Sequence, residues 1–163
     1  MNLQLIPFHK EFGPKICEWN LVPTTRRFWR GVKRYLTLEE CENLPRMFNL
    51  EVLGILDPET GLVGLVEFND ESSDSTRFTM LVGPEYQRNG IMGEALIATE
   101  KYVFEIKGVK FLLTECSKEA VTVQKALEAR GFVKIGEIPD YCQYNGKTED
   151  AVLYYKTKQS WDS

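Results

Sequence analysis

The chain has 163 residues, 43% apolar and 27% charged, with 20 basic against 24 acidic side chains for a net charge of −4. That length suits one globular domain spanning residues 1–163. The mild negative charge argues against nucleic acid as the main partner and is compatible with a cationic substrate. Cys17, Cys41, Cys116 and Cys142 are widely spaced with no Cys-x-x-Cys pair, the N-terminus is not signal-like, and no apolar run is long enough to span a bilayer, so a reduced, cytoplasmic protein without membrane association is predicted.

In chain order, Leu3–Ile6 reads as a first strand ended by Pro7. Phe8–Trp19 reads as a helix interrupted early by Gly13-Pro14, and Thr37-Leu38-Glu39-Glu40 has capping-box spacing for a helix running to about Leu44, before Pro45. Glu51–Leu56 and Leu62–Phe68 are apolar runs joined by the turn signal Asp57-Pro58-Glu59-Thr60-Gly61. The strand Thr76–Val82 follows the polar stretch 69–75. A long helix then ends near Ile106, with Ile91, Ala95, Ala98, Tyr102 and Ile106 at core-facing spacing. Phe111–Glu115 is the next strand. Glu119–Arg130 is a helix with Ala120, Val123 and Leu127 on one face, stopped by Gly131. Val133–Ile138 and Ala151–Lys156 close as strands, with a turn at Asn145-Gly146 and a frayed end. Strands, helix, strand, helix, strands is the order of a mixed α/β sheet.

The single histidine, His9, restricts the chemistry. It lies in Pro7-Phe8-His9-Lys10 with no nucleophile-elbow motif anywhere, so a Ser-His-Asp triad is not expected, and a metal site would need scattered cysteines. No metal is predicted, and His9 reads as a solvated helix-start residue.

The most informative segment is Gln87-Arg88-Asn89-Gly90-Ile91-Met92-Gly93-Glu94-Ala95-Leu96, between the strand ending at Leu81-Val82 and the long helix. A helix start leaves its first N–H groups without internal partners and carries roughly half a positive charge. Gly90 and Gly93 lack a Cβ, so an anion can approach that backbone closely. The segment lacks the Gly-Lys-Ser/Thr of a P-loop and the three spaced glycines of a dinucleotide fold. It resembles the acyl-CoA loop of the GNAT superfamily of N-acetyltransferases, Gln/Arg-x-x-Gly-x-Gly/Ala, with Gln87, Gly90 and Met92 on the three fixed positions.

Met92 departs from the general Gly/Ala and is similar to the branch of ribosomal-protein N-terminal acetyltransferases. Pro84-Glu85-Tyr86-Gln87 and Gly64-Leu65-Val66-Glu67 are similar to spermidine acetyltransferases. The resemblance covers about Leu50 to Lys156, including the Gly131-Phe132 pair. It implies a central, mostly antiparallel sheet flanked by helices and splayed after the fourth strand, with acetyl-CoA in the cleft. It assigns pyrophosphate to the amides around Arg88, Asn89, Gly90, Ile91, Met92 and Gly93, and pantetheine to the main chain of Leu81 and Val82.

The implied activity is acetyl transfer to an amine-bearing acceptor, a protein or peptide amine in preference to a polyamine or other small amine. Such transfer needs a base for the amine, donors for the oxyanion and an acid for the departing thiolate. Glu115, at the end of its strand, lines up with a base glutamate of some N-terminal acetyltransferases; Glu67 and Glu94 are weaker alternatives. The acid departs from the family: Leu127 stands where many members carry tyrosine, Ala120 where an asparagine commonly contacts the cofactor, and Val123 where the ribosomal branch has serine. Ser117, Thr122, Tyr141 or water then remain as proton donors. The alternative reading is a CoA-binding or protein-interaction module that keeps this fold with weak turnover. Arg26, Arg27, Arg30, Lys33 and Arg34 interleave with Phe28, Trp29 and Tyr35, a pattern for an amphipathic wall, an acceptor-side surface or a nucleic-acid contact. Oligomeric state is not legible.

Overall fold

The computed structural model describes residues 2–22, 35–87, 90–144 and 147–163. The basic-aromatic tract up to Arg34, Arg88, Asn89 and the Asn145-Gly146 turn lie outside the described residues. Seven strands form one mixed sheet: β1 (Gln4–Pro7), β2 (Glu51–Asp57), β3 (Gly61–Asp70), β4 (Ser75–Val82), β5 (Phe111–Ser117), β6 (Val133–Tyr144) and β7 (Lys147–Thr157), in the spatial order β1-β2-β3-β4-β5-β7-β6. All neighbours are antiparallel except β4 and β5, which run parallel.

Helices cover both faces of the sheet. On one face, α1 (Gly13–Asn20), α2 (Leu38–Glu42) and α3 (Leu44–Phe48) bury Ile16, Trp19, Cys41 and Leu44 against Val52, Leu62, Leu65 and Leu81. On the other, α4 (Ile91–Lys101, continued by a π-helical turn Tyr102–Lys107) and α5 (Val121–Ala129) pack on Val63, Val66, Phe78, Met80, Val82 and Leu112. A bulge divides β3 between the two cores: Ile55 faces Gly64 but Leu56 faces Leu62, so Val63 is the extra residue. Leu62 and Leu65 then turn to one face, Val63 and Val66 to the other.

Both prolines read as breakers instead begin helices. Pro14 and Pro45 sit in the first turns of α1 and α3, where the missing N–H has no intrahelical partner to lose. The Thr37 capping box forms in both directions, with Glu40 N donating to Thr37 Oγ1 (3.2 Å) and Thr37 N to Glu40 Oε1 (3.0 Å). His9 caps the short 3-10 turn Lys10–Phe12 through Nδ1. The chain end is ordered rather than frayed: Thr157 caps α6 (Lys158–Asp162), and Trp161 lies 5.4 Å from the Phe104 ring.

The stripe expected on α4 is corrected as well. Ile106 is 73% exposed, and the buried face is Ile91, Ala95, Leu96, Thr99 and Glu100, continuing to Val103 and Phe104. Two polar residues occupy that face and displace the apolar periodicity. Thr99 donates to Ala95 O (2.8 Å), and the fully buried Glu100 accepts from Arg130 Nε (2.9 Å) and from Lys156 Nζ. Lys156 also donates to Arg130 O, tying β7, α4 and the end of α5 into one knot. Beside it α5 ends in a Schellman motif: Gly131 (φ +84°) donates to Glu128 O and Phe132 N to Leu127 O, each at 3.0 Å.

Candidate active site

The sheet opens between β4 and β5. Only Ser75, Thr76 and Arg77 pair with β5, opposite Phe111, Leu112 and Leu113. Beyond them β4 continues with β3 to Val82↔Gly64, and β5 continues with β7 to Ser117↔Ala151. The Thr114 hydroxyl donates to Phe78 O (3.0 Å) at the point of divergence. From Thr79 to Val82 one edge of β4 therefore has no strand partner among the described residues and faces the cleft. Leu81 and Val82 are buried, so what they present there is main chain. Gly64 fits β3 close behind them, because a Cβ there would collide with Leu81 O.

The chain leaves β4 through Gly83 and a 3-10 turn, Pro84–Tyr86, and reaches the glycine loop. Gln87 turns back to donate to Val82 O (3.1 Å), which fixes the loop to the strand end. Gly90 caps α4 at φ +72°, a left-handed conformation that costs an L side chain about 1–2 kcal/mol. A Cβ at Gly90 or Gly93 would meet no heavy atom of the described residues within 4 Å, so among them both positions border open space. Ile91, Met92 and Gly93 occupy the first turn, where N–H groups have no carbonyl one turn back. Ile91 itself is core, and Met92, partly buried, packs against the core.

Glu115 lies across the cleft on β5, its side chain 7% exposed and paired to Arg77 Nη1 at 2.9 Å. Strand alternation puts Glu115, Arg77 and Leu81 on the face covered by α1–α3, whereas α4 covers the other. Arg77 was not anticipated from the sequence. A lone arginine on an apolar strand has no local signal, and its partners Glu71 (2.6 Å from Nε) and Glu115 are met only through the fold. Another group missed is the support behind the loop. Trp19 Nε1 donates to Glu85 (3.2 Å), Lys15 Nζ donates to Tyr86 OH (2.9 Å), and Trp19 fills the space a Cβ at Gly83 would need.

Leu127 is buried beside Phe132 and offers no proton; Ala120 caps α5 without a side-chain bond. Ser117 is buried and donates to Glu149, while Thr122 and Tyr141 are exposed. Glu67 is half-buried on β3 and Glu94 half-buried in the first turn of α4. Among the described residues no group of three or more His, Cys, Asp or Glu is placed to hold a metal, and no helix is long and apolar enough to cross a membrane.

A family model for the acetyltransferase (GNAT) domain matches residues 2–133. The chain belongs to the GNAT acetyltransferase family. The match reaches the N-terminal region, beyond the Leu50 boundary read from the motifs, and takes in α1–α3 as part of the family's domain. As a GNAT acetyltransferase, the protein is an acetyl-CoA-dependent N-acetyltransferase. The GNAT fold is shared along almost the whole chain with spermidine N-acetyltransferase from Vibrio cholerae in complex with CoA and spermine, at TM-score 0.88 and 20% identity over 99% of each chain. A GNAT-family acetyltransferase from Bacillus anthracis superposes at TM-score 0.81 and 18% identity, over 98% of this chain and 96% of that one. No curated protein matches the sequence.

Proposed function

We propose that residues 1–163 act as one cytoplasmic domain that transfers acetyl from acetyl-CoA to a protein or peptide amine, with Glu115 as the base. The observation that carries this reading is the open, glycine-lined start of α4 beside the edge of β4 that pairs with no described strand. The amides of Arg88 to Gly93 hold the pyrophosphate. The Leu81 and Val82 main chain bonds pantetheine as a further strand would, with one amide directed at the thioester oxygen. Because α4 covers one face and Glu115 lies on the other, donor and acceptor enter from opposite sides of the sheet.

Chemistry then follows from charge states. The amine nitrogen attacks the thioester carbonyl after Glu115, directly or through water, takes its proton, and collapse of the tetrahedral intermediate expels CoA thiolate. An α-amine of pKa about 7.8 is neutral roughly one time in seven at pH 7, against on the order of one in 10³ for an alkyl amine of about 10.4. One carboxylate already engaged by Arg77 suits the easier deprotonation, which supports a peptide α-amine. The polyamine reading is favoured by the likeness to the spermidine N-acetyltransferase.

Thiol release from acetyl-CoA, measured over a panel of peptides with free N-termini, lysine peptides, spermidine and spermine, decides between them. The highest kcat/KM is expected on an N-terminal peptide. Faster turnover of spermidine assigns the site to polyamines, and acetyl-CoA binding without turnover of any amine overturns the catalytic reading.

A further inference from the structure

Cys17 on α1 and Cys41 on α2 face each other with Sγ atoms 2.9 Å apart, both as free thiols. The approach is built into the helix pair. Gly13 lets α1 lie against α2, since a Cβ there would stand 2.5 Å from Glu42 Cγ, and the Thr37 capping box fixes where α2 starts. Cys41 is fully buried among Ile16, Trp19 and Leu44, while Cys17 sits at the edge of that cluster, partly open to solvent. Burial, reinforced by the contact with Cys17, pushes the Cys41 thiol up, so Cys41 stays protonated and Cys17 is the sulfur a solvent-borne reagent meets first.

We propose that Cys17 and Cys41 are a reversible modification site, at which an oxidant of the peroxide class converts two thiols into a disulfide stapling α1 to α2. Cys17 sulfur attacks the peroxide O–O bond, giving a sulfenic acid and one water. Cys41 sulfur then attacks the sulfenic sulfur, the S–S bond forms, and the hydroxyl leaves with the Cys41 proton as a second water. Two electrons pass from the thiols to the peroxide, and a dithiol returns them by exchange. Closure needs the sulfurs at about 2.05 Å, a further approach of about 0.9 Å.

The location gives the bond its consequence. Lys15 and Trp19, on either side of Cys17 in α1, hold Tyr86 and Glu85 just before the glycine loop. Cys116, on β5, packs against the core on the other face of the sheet and has no place in the reaction.

The test uses the full chain with Cys116→Ser and Cys142→Ser, leaving only the pair. After hydrogen peroxide, alkylation in denaturant and intact-mass measurement should show loss of two hydrogen atoms, no alkylated thiol and a linked peptide joining residues 17 and 41, all reversed by dithiothreitol. The unfolding midpoint should rise by about 5 °C or more on oxidation, and Cys17→Ser on the same background should abolish both effects. Two alkylatable thiols after peroxide, a sulfinic acid at Cys17, a disulfide-linked dimer or an unchanged midpoint would each overturn the proposal. None of these readouts depends on acetyl transfer.

Discussion

Arg77 holds Glu115 across the floor of the cleft: the guanidinium, on the last β4 residue paired with β5, and the carboxylate, two positions beyond Leu113 on β5, meet at 2.9 Å. The contact bridges the two strands where main-chain pairing stops, and it fixes the carboxylate on the face covered by α1–α3. If Glu115 is the base, Glu115→Gln should keep the shape and lower kcat/KM for the amine by roughly 10²-fold, about 2.7 kcal/mol, with acetyl-CoA affinity little changed. Raising the pH should partly rescue the variant, more for a lysine-like acceptor than for an α-amine, because more of the amine is then already neutral. Wild-type kcat/KM at neutral pH would reduce Glu115 to the structural partner of Arg77.

Gly90→Asp adds a carboxylate at the left-handed cap of α4, where the backbone costs an L side chain only about 1–2 kcal/mol and a Cβ meets no heavy atom of the described residues within 4 Å. The fold should therefore survive, while acetyl-CoA affinity falls at least tenfold, or about 1.4 kcal/mol. Calorimetric titration of a cooperatively folded variant decides, and unchanged affinity would move the pyrophosphate elsewhere.

Ser117→Ala, Thr122→Val and Tyr141→Phe should each leave kcat within tenfold of wild type, well short of the 10²–10⁴ that a general acid contributes. The Ser117 hydroxyl is already committed to Glu149, and Leu127 has no proton to give. A hundredfold loss of kcat in one variant, with acetyl-CoA affinity intact, would identify the acid and refute protonation of the thiolate by water.

Glu100→Ala removes the carboxylate that faces both Lys156 and Arg130. It should destabilise by about 3–5 kcal/mol, because Lys156, 7% exposed, keeps a buried charge. Glu100→Leu combined with Lys156→Met should recover most of that loss. Urea unfolding midpoints of the two variants test both statements; equal losses would mean that shape rather than charge holds the knot.

The parts legible in the sequence were those encoded locally. The strands β2, β3 and β4 announce themselves by apolar runs between breakers, and the Gly131 stop and the Thr37 capping box act over a few residues. The glycine loop was legible because the left-handed cap at Gly90 and the helix start after it are encoded in adjacent residues. What escaped needs partners far along the chain. Glu100 is acceptable in the core only through Arg130 and Lys156, 30 and 56 residues away, so the α4 stripe was misread toward Ile106. Arg77 gains its place from Glu115, 38 residues on. Pro14 and Pro45 look the same in sequence whether they stop a helix or start one.

The three-pair ladder between β4 and β5 leaves the width of the cleft to side chains rather than to main-chain hydrogen bonds. The Arg77–Glu115 bridge and the Thr114 hydroxyl bond to Phe78 O are side-chain contacts that span the two strands there. Substitutions at Arg77, Glu115 or Thr114 therefore act on the spacing of the two strands rather than on the residues of the glycine loop.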